Sequence, residues 1–158
     1  RQRQMCIRDS GYNTLRIYLR ENEMKTLKMM IEDDFATSMG IEVVTICSGY
    51  AKLRMKVTEK HLNAGGVCHG GAIFTLADLA FAAAVDSHLK LTLSLNAMIT
   101  YLRAVKTGYV YAEAVEVSNH EKIPYVEVSV RDEAGELIAR LTSSGYRKRE
   151  DMNVSGLM

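Results

Sequence analysis

The pattern of apolar and polar positions predicts a largely β-stranded chain with two helices. Across residues 24–39, Leu27, Ile31 and Phe35 share one face at helical spacing, and Gly40 ends that predicted helix. Alternating or β-branched segments separated by turn signals predict six strands, at residues 41–46, 51–57, 93–103, 109–117, 124–132 and 136–148.

The long helix lies in the middle of the chain, where residues 72–85 form an apolar run rich in good helix formers. Gly70 and Gly71 permit a tight turn before it. A helix that is apolar on every side must be buried on every side, so a sheet should wrap it and a second surface should close the rest. Val126, Val128 and Val130 alternate with residues of the wetter face, which favours an antiparallel sheet with one core face. The predicted class is α+β.

Asp78 is the one carboxylate inside the apolar run, on a predicted face with Phe74, Thr75, Phe81 and Ala82. Burying an ionised carboxylate without partners is costly, so stability alone does not favour an acid there. In one interpretation the acid only bonds a backbone group or a residue of a partner subunit. In the other, a buried acid near a glycine-rich helix start is a catalytic candidate.

The composition of the chain limits the kinds of partner that it is expected to bind. Lys and Arg number 20 against 19 acidic residues, and a net charge of +1 gives no footprint for nucleic acid. The apolar run is too short for a membrane span and carries Asp78, so no membrane partner is expected. Three cysteines without disulfide spacing indicate a reduced, cytoplasmic protein.

Two segments together resemble a known family. The stretch "LNAGGVCHGGAIFTLADLAFAAA" and the later "SLNAMITYLRAV" are similar to hotdog-fold acyl-CoA thioesterases of the phenylacetate-degradation type, over about residues 35–148. The resemblance implies a six-stranded antiparallel sheet wrapped around the central helix, assembled as homodimers and usually homotetramers. It implies an acyl-CoA substrate, in which coenzyme A is part of the substrate and not a cofactor.

The resemblance also implies roles for single residues. Asn63 and the backbone amide of Gly70 would polarise the thioester carbonyl, and Asp78 of the other subunit would be nucleophile or general base. Ser94 matches a position where a hydroxyl helps to place water, and the proline that often follows "YLR" is Ala104 here. Thioester chemistry agrees, because an amide at a helix start stabilises a developing oxyanion, and we expect a side chain at residue 70 to block the thioester.

Neighbouring groups are further candidates. Cys68 and His69 are adjacent and should point to opposite sides, which argues against a Cys/His pair. We expect His69 to anchor the turn into the helix, with Gly71, and to be a secondary site residue. No histidines lie at metal-ligand spacing, so no metal is expected. Basic residues that could hold coenzyme A phosphates, or be only a solvated rim, are Lys106, Lys122, Arg147, Lys148 and Arg149.

The predicted organisation is an N-terminal extension at 1–23, one hotdog domain at 24–150 and a flexible tail at 151–158. The opening "RQRQMCIRDS" resembles a translated sequencing adapter, so part of the extension is interpreted as an artefact. We expect a second subunit to close the helix, with Ala80, Ala83 and Ala84 letting two helices approach.

Three functions follow from these observations. The first is an acyl-CoA thioesterase, which hydrolyses a thioester to a free acid and coenzyme A. The second is a non-catalytic acyl-CoA-binding regulator, although a binder does not need the acid at Asp78. The third, a hotdog dehydratase or hydratase, is weaker because that chemistry needs a His paired with the acid.

Overall fold

The computed structural model describes residues 25, 27 and 31–152, so the predicted extension at 1–23 and residues 153–158 lie outside it. The helices are α1 (Asp34–Ser38), a 3-10 turn (Glu59–His61) and α2 (Gly70–Asp86). The strands are β1 (Ile41–Cys47), β2 (Tyr50–Val57), β3 (Lys90–Tyr101), β4 (Gly108–Ser118), β5 (Tyr125–Asp132) and β6 (Leu137–Asp151). All six predicted strands are therefore present, with shifted ends.

The strands form one antiparallel sheet in the order β1-β2-β4-β5-β6-β3. β1 and β2 form a hairpin whose turn contains Gly49 at φ +67°, a conformation that glycine adopts without steric cost. Val126, Val128 and Val130 of β5 are fully buried, as their alternation predicted. β1 and β3 are the two edges of the sheet.

The core lies between this sheet and α2. The largest fully buried side chains come from both, and they include Phe81, Leu76 and Val85 of the helix and Leu53, Met55, Val110, Val126, Val128 and Leu141 of the strands. Burial of each large side chain contributes roughly 1.5–3 kcal/mol. The prediction of a sheet packed around a long central helix is confirmed.

One stripe of α2 is not covered by the sheet. Its members follow helical spacing of three and four, and they are Gly71, Phe74, Thr75, Asp78, Leu79 and Ala82. Phe81, which we expected beside Asp78, is instead buried in the core. Ala80, Ala83 and Ala84 are also fully buried against their own sheet, so the expectation that they meet a second helix was wrong.

The first predicted helix differs from the observed one. The predicted helix is interrupted at Glu32 and Asp33, and α1 then spans Asp34–Ser38, where the Asp33 side chain caps its start by accepting the Ala36 N–H at 2.7 Å. Leu27 and Ile31 are buried as expected, but Phe35 is 61% exposed. Lys25, Leu27 and Ile31 are helical as predicted, and the other residues of the predicted helix before residue 31 lie outside the described residues.

The C-terminal boundary also lies further along the chain. β6 reaches Asp151, and the Met152 N–H donates to the Leu89 carbonyl at 3.0 Å. The sheet thus continues past the predicted domain end at residue 150.

Candidate active site

The loop before α2 is held at several backbone points. Leu62 and Cys68 form an antiparallel bridge, and the His69 N–H donates to the His61 carbonyl at 2.7 Å. The Cys68 N–H donates to the Val105 carbonyl, also at 2.7 Å. These bonds join the segment after β2 to the segment before α2. They therefore fix the positions of Asn63, on the first segment, and Gly70, at the end of the second.

The Asn63 side chain is exposed, and its oxygen is hydrogen-bonded within the chain whereas its nitrogen is not. Its Oδ1 accepts the Gly65 N–H at 2.9 Å and the Val67 N–H at 3.4 Å, forming a local turn. No described residue accepts a hydrogen bond from its Nδ2. The amide group is therefore fixed through its oxygen and offers its N–H groups to an outside acceptor.

At the start of α2, too, some N–H groups are bonded within the chain and one is not. His69 is the N-cap, as predicted, and its Nδ1 accepts the Gly71 N–H at 2.8 Å. The Ala72 and Ile73 N–H groups donate to the His69 carbonyl. Among residues 31–152 no group accepts the Gly70 N–H. A free amide at the positive end of a 17-residue helix is a ready donor to an oxyanion.

Asp78 lies in the middle of the uncovered stripe and is half-buried. No donor in the described part of the chain bonds its carboxylate, and burial raises its pKa. It lies eight residues after Gly70, a separation of about 12 Å along the helix axis. Asp78 and Gly70 of one chain are thus too far apart to contact the same carbonyl group.

Comparison with known proteins places this geometry in a family. The model of the thioesterase superfamily matches residues 65–139. A relative from Archaeoglobus fulgidus is named provisionally as an esterase and is 42% identical over 124 residues. The match covers 78% of this chain and 80% of the relative. The chain belongs to the thioesterase superfamily. It is a thioester hydrolase.

More specific relatives agree with the hotdog fold of this thioesterase. The Escherichia coli acyl-coenzyme A thioesterase PaaI is 33% identical over 94 residues, covering 60% of this chain and 67% of the relative. A solved mutant of the phenylacetic acid degradation protein PaaI from Thermus thermophilus superposes with a TM-score of 0.71 at 32% identity, covering 73% of this chain and all (100%) of that one. The predicted likeness to the phenylacetate-degradation type is confirmed.

The secondary site residues of the thioesterase are not all brought together. Gly71 is bonded to His69 at the helix start, whereas Ser94 is exposed on β3, and no hydrogen bond of the described residues joins it to Asn63, Gly70 or Asp78. Cys68 is buried, which raises the pKa of its thiol, while His69 is exposed. Burial keeps Cys68 protonated, which agrees with the argument against a Cys/His pair.

Tyr101 is a neighbour of the site that sequence reasoning missed. Its hydroxyl donates to the Gly70 carbonyl at 2.9 Å, and a Cβ on Gly70 would lie 3.1 Å from Tyr101 Cζ. The space beside Gly70 is therefore filled by this ring and not left open for a thioester, contrary to our expectation. The signal was present, since Tyr101 is the tyrosine of the "YLR" segment that carries the family resemblance.

A second polar cluster lies at the other end of α2. Glu116 Oε1 is 2.7 Å from Arg147 Nη2 and Glu116 Oε2 is 2.6 Å from His88 Nε2. Arg147 Nη1 also donates to Asn119 Oδ1 at 2.6 Å. Arg147 is a sequence candidate for binding coenzyme A phosphate, but it is buried and engaged with protein groups. It is therefore part of the core of the thioesterase and not of its rim.

The described residues hold neither a membrane-spanning helix nor a metal-binding cluster. No helix among them is long and apolar enough to cross a membrane. No group of three His, Cys, Asp or Glu side chains within that part of the chain is arranged to hold a metal ion.

Proposed function

We propose that the thioesterase hydrolyses acyl-CoA at a site formed by Asn63 and Gly70 of one subunit and Asp78 of a second subunit. The observation that carries the proposal is the Gly70 N–H, which lies in the first turn of α2 and has no acceptor in the described chain. The naming of the Escherichia coli relative as an acyl-coenzyme A thioesterase supports this choice of substrate.

The chemistry assigns each group one task. The Gly70 N–H and an Asn63 Nδ2–H donate to the carbonyl oxygen, where negative charge develops as the thioester is attacked. The N-terminal end of α2 adds a favourable dipole. Such donors are effective because they are held in place before reaction, Asn63 by its turn and Gly70 by the bonds around the helix start.

The Asp78 carboxylate completes the reaction in one of two ways. As a general base it takes a proton from water, the water oxygen bonds to the carbonyl carbon, and the carbon–sulfur bond then breaks. As a nucleophile it bonds to that carbon itself, the thiolate leaves, and water cleaves the mixed anhydride. In both routes the coenzyme A thiolate takes up a proton. Burial raises the pKa of Asp78 and so makes its carboxylate a stronger base.

A second copy of the chain supplies the missing half of the site in this proposal. α2 runs antiparallel to β3, because Gly70 bonds Tyr101 at the end of β3 and Asp86 bonds Thr92 near its start. The helix therefore runs alongside the edge strand β3. A two-fold axis passing between Gly70 and Asp78 would bring each Asp78 next to Gly70 of the other subunit.

The exposed edge strand β3 also favours association with a second copy of the chain. β3 has 12 residues, and Leu93, Leu95 and Met98 along it are exposed. A long edge strand with exposed apolar side chains is prone to pair with another strand, and a copy of β3 would satisfy its unpaired backbone groups. We propose a homodimer as the catalytic unit and a homotetramer of two such dimers, following the family resemblance.

The exposed basic residues remain candidates for the coenzyme A phosphates. They are Lys106, Lys122, Lys148 and Arg149. We place the protein in the cytoplasm, on the ground that Cys47 and Cys68 are buried free thiols.

The proposal is tested with a panel of short-chain, aromatic and hydroxylated acyl-CoAs, using release of free thiol as the readout. We expect at least one class to be hydrolysed with saturation kinetics. Tight binding of an acyl-CoA without thiol release would instead favour the regulator, and release of water or its addition to an enoyl-CoA would favour a dehydratase or hydratase.

A further inference from the structure

Tyr101 holds the first residue of α2 from the side. Its hydroxyl donates to the Gly70 carbonyl at 2.9 Å, and a Cβ on Gly70 would lie 3.1 Å from Tyr101 Cζ and 3.2 Å from its hydroxyl oxygen. The ring therefore rests directly on the Gly70 backbone. The tyrosine is 48% exposed and lies at the last position of the edge strand β3.

The backbone at this point needs such support. α2 begins with Gly70-Gly71, and consecutive glycines have more backbone freedom than any other pair. His69 Nδ1 fixes the Gly71 N–H at 2.8 Å, but no described residue binds the Gly70 N–H. That N–H belongs to the His69–Gly70 peptide unit, whose carbonyl accepts the Ala72 and Ile73 N–H groups. Tyr101 holds the next peptide unit by the Gly70 carbonyl, so the two units that meet at the flexible Gly70 are both fixed relative to each other.

The bond to Tyr101 is not required to satisfy a buried group. The Gly70 carbonyl belongs to the first turn of α2, where a helix supplies a backbone N–H four residues later, and the Tyr101 hydroxyl is accessible to water. The net contribution of a neutral hydrogen bond at an exposed site is small. A tyrosine here is therefore better explained by its effect on the orientation of the Gly70 backbone than by a contribution to folding stability.

We propose that Tyr101 is a positioning residue, which aims the free Gly70 N–H at the thioester carbonyl oxygen. The inference rests on the proposed role of Gly70 as an oxyanion donor. It also explains the glycine at 70: the missing side chain makes room for the Tyr101 ring, and the N–H remains available on another side.

Tyr101→Phe is the first test, because it keeps the ring and removes the hydrogen bond. We expect kcat to fall about tenfold, a fraction of the roughly 10²–10³-fold loss on removing an oxyanion donor, with KM changed less than about twofold. Tyr146→Phe is the matched control, since Tyr146 is 42% exposed on β6 and has no hydrogen bond within the described chain. We expect the control to retain wild-type kcat. A kcat for Tyr101→Phe within about twofold of wild type, or an equal fall in the control, overturns the inference.

A double-mutant comparison tests whether a side chain at residue 70 collides with the Tyr101 ring or with the thioester. Gly70→Ala places a methyl group against Tyr101, so it should lower kcat strongly in the wild-type background. In a Tyr101→Ala background the same methyl group meets open space, and we expect little additional loss. An equal loss in both backgrounds would mean that residue 70 meets the substrate directly, and would overturn a role through Tyr101. Thermal unfolding and oligomer mass are measured for each variant.

An NMR measurement tests the inference without relying on catalysis. In ¹⁵N-labelled protein we expect a lower order parameter at the Gly70 amide in Tyr101→Phe than in wild type or Tyr146→Phe. If wild type releases no thiol from any acyl-CoA, the proposed function fails, and the Gly70 order parameter still decides whether Tyr101 orders this peptide. An unchanged order parameter overturns the inference even if wild type is active.

Discussion

The Asp86 carboxylate accepts a hydrogen bond of 2.8 Å from the backbone N–H of Thr92, at the end of α2 opposite to Gly70. Asp78, eight residues earlier on the same helix, has no such donor in the described chain. The two acids of α2 are therefore in different situations: one is tied into its own subunit, and the other lies on the uncovered stripe. This contrast provides a matched pair for mutagenesis.

Asp78→Asn should leave a folded oligomer with kcat lowered by at least about 100-fold, because the amide keeps the shape and removes the base. Asp86→Asn is the control, since its Oδ1 can still accept the Thr92 N–H, and we expect it to keep most of the activity. Thiol release from the best acyl-CoA and oligomer mass are the measurements. Near-normal turnover by Asp78→Asn would end its catalytic assignment.

Mixed oligomers test the shared site. Asn63→Ala and Asp78→Ala chains are each expected to be inactive, and refolding them together should give hybrids in which one of two sites is intact. Random pairing then restores up to about a quarter of wild-type activity. If mass spectrometry finds hybrids in a mixture that is still inactive, Asn63 and Asp78 do not meet across a subunit interface.

Asp86 should make stability depend on pH. Burial, opposed by the Thr92 hydrogen bonds and the Arg147 charge, raises its pKa from 3.8 to about 7. Between these values the folded state keeps a proton that the unfolded state has released, so the free energy of unfolding falls as pH rises from about 4 to about 7. The slope is on the order of 1 kcal/mol per pH unit.

Urea unfolding of wild type and Asp86→Asn at several pH values measures this slope. We expect the variant to lose most of it, with a remainder from Asp78, whose pKa burial also raises. A wild-type stability that rises steadily across the same pH range would contradict the assignment.

The Glu116 and Arg147 side chains are 4% and 6% exposed, so removing Arg147 should leave the buried Glu116 carboxylate without its arginine partner, with His88 as its remaining side-chain contact in the described chain. Arg147→Met is expected to lower the free energy of unfolding by about 3–5 kcal/mol. Arg54→Met is the control, because Arg54 pairs with Glu42 at 2.7 Å on the surface, where such a pair contributes about 0–1 kcal/mol. Equal losses in the two variants would show that Arg147 is not a core charge.

Local patterns in the sequence determined much of the fold. The apolar run with Gly70 and Gly71 before it predicted α2, and the alternation of Val126, Val128 and Val130 predicted which face of β5 is buried. These features depend on residues a few positions apart, whose spacing sets which side chains share a face. The short motif also identified Asn63, Gly70 and Asp78 as candidates.

Tertiary structure decided what depends on distant residues. Tyr101 meets Gly70 across 31 positions, and Arg147 meets Glu116 across another 31, so neither the filled space at Gly70 nor the burial of Arg147 follows from local spacing. The exposure of Phe35 also depends on how the chain packs. Periodicity specifies a face for each side chain, whereas the partner on that face is set by the strand order and by where the chain folds back.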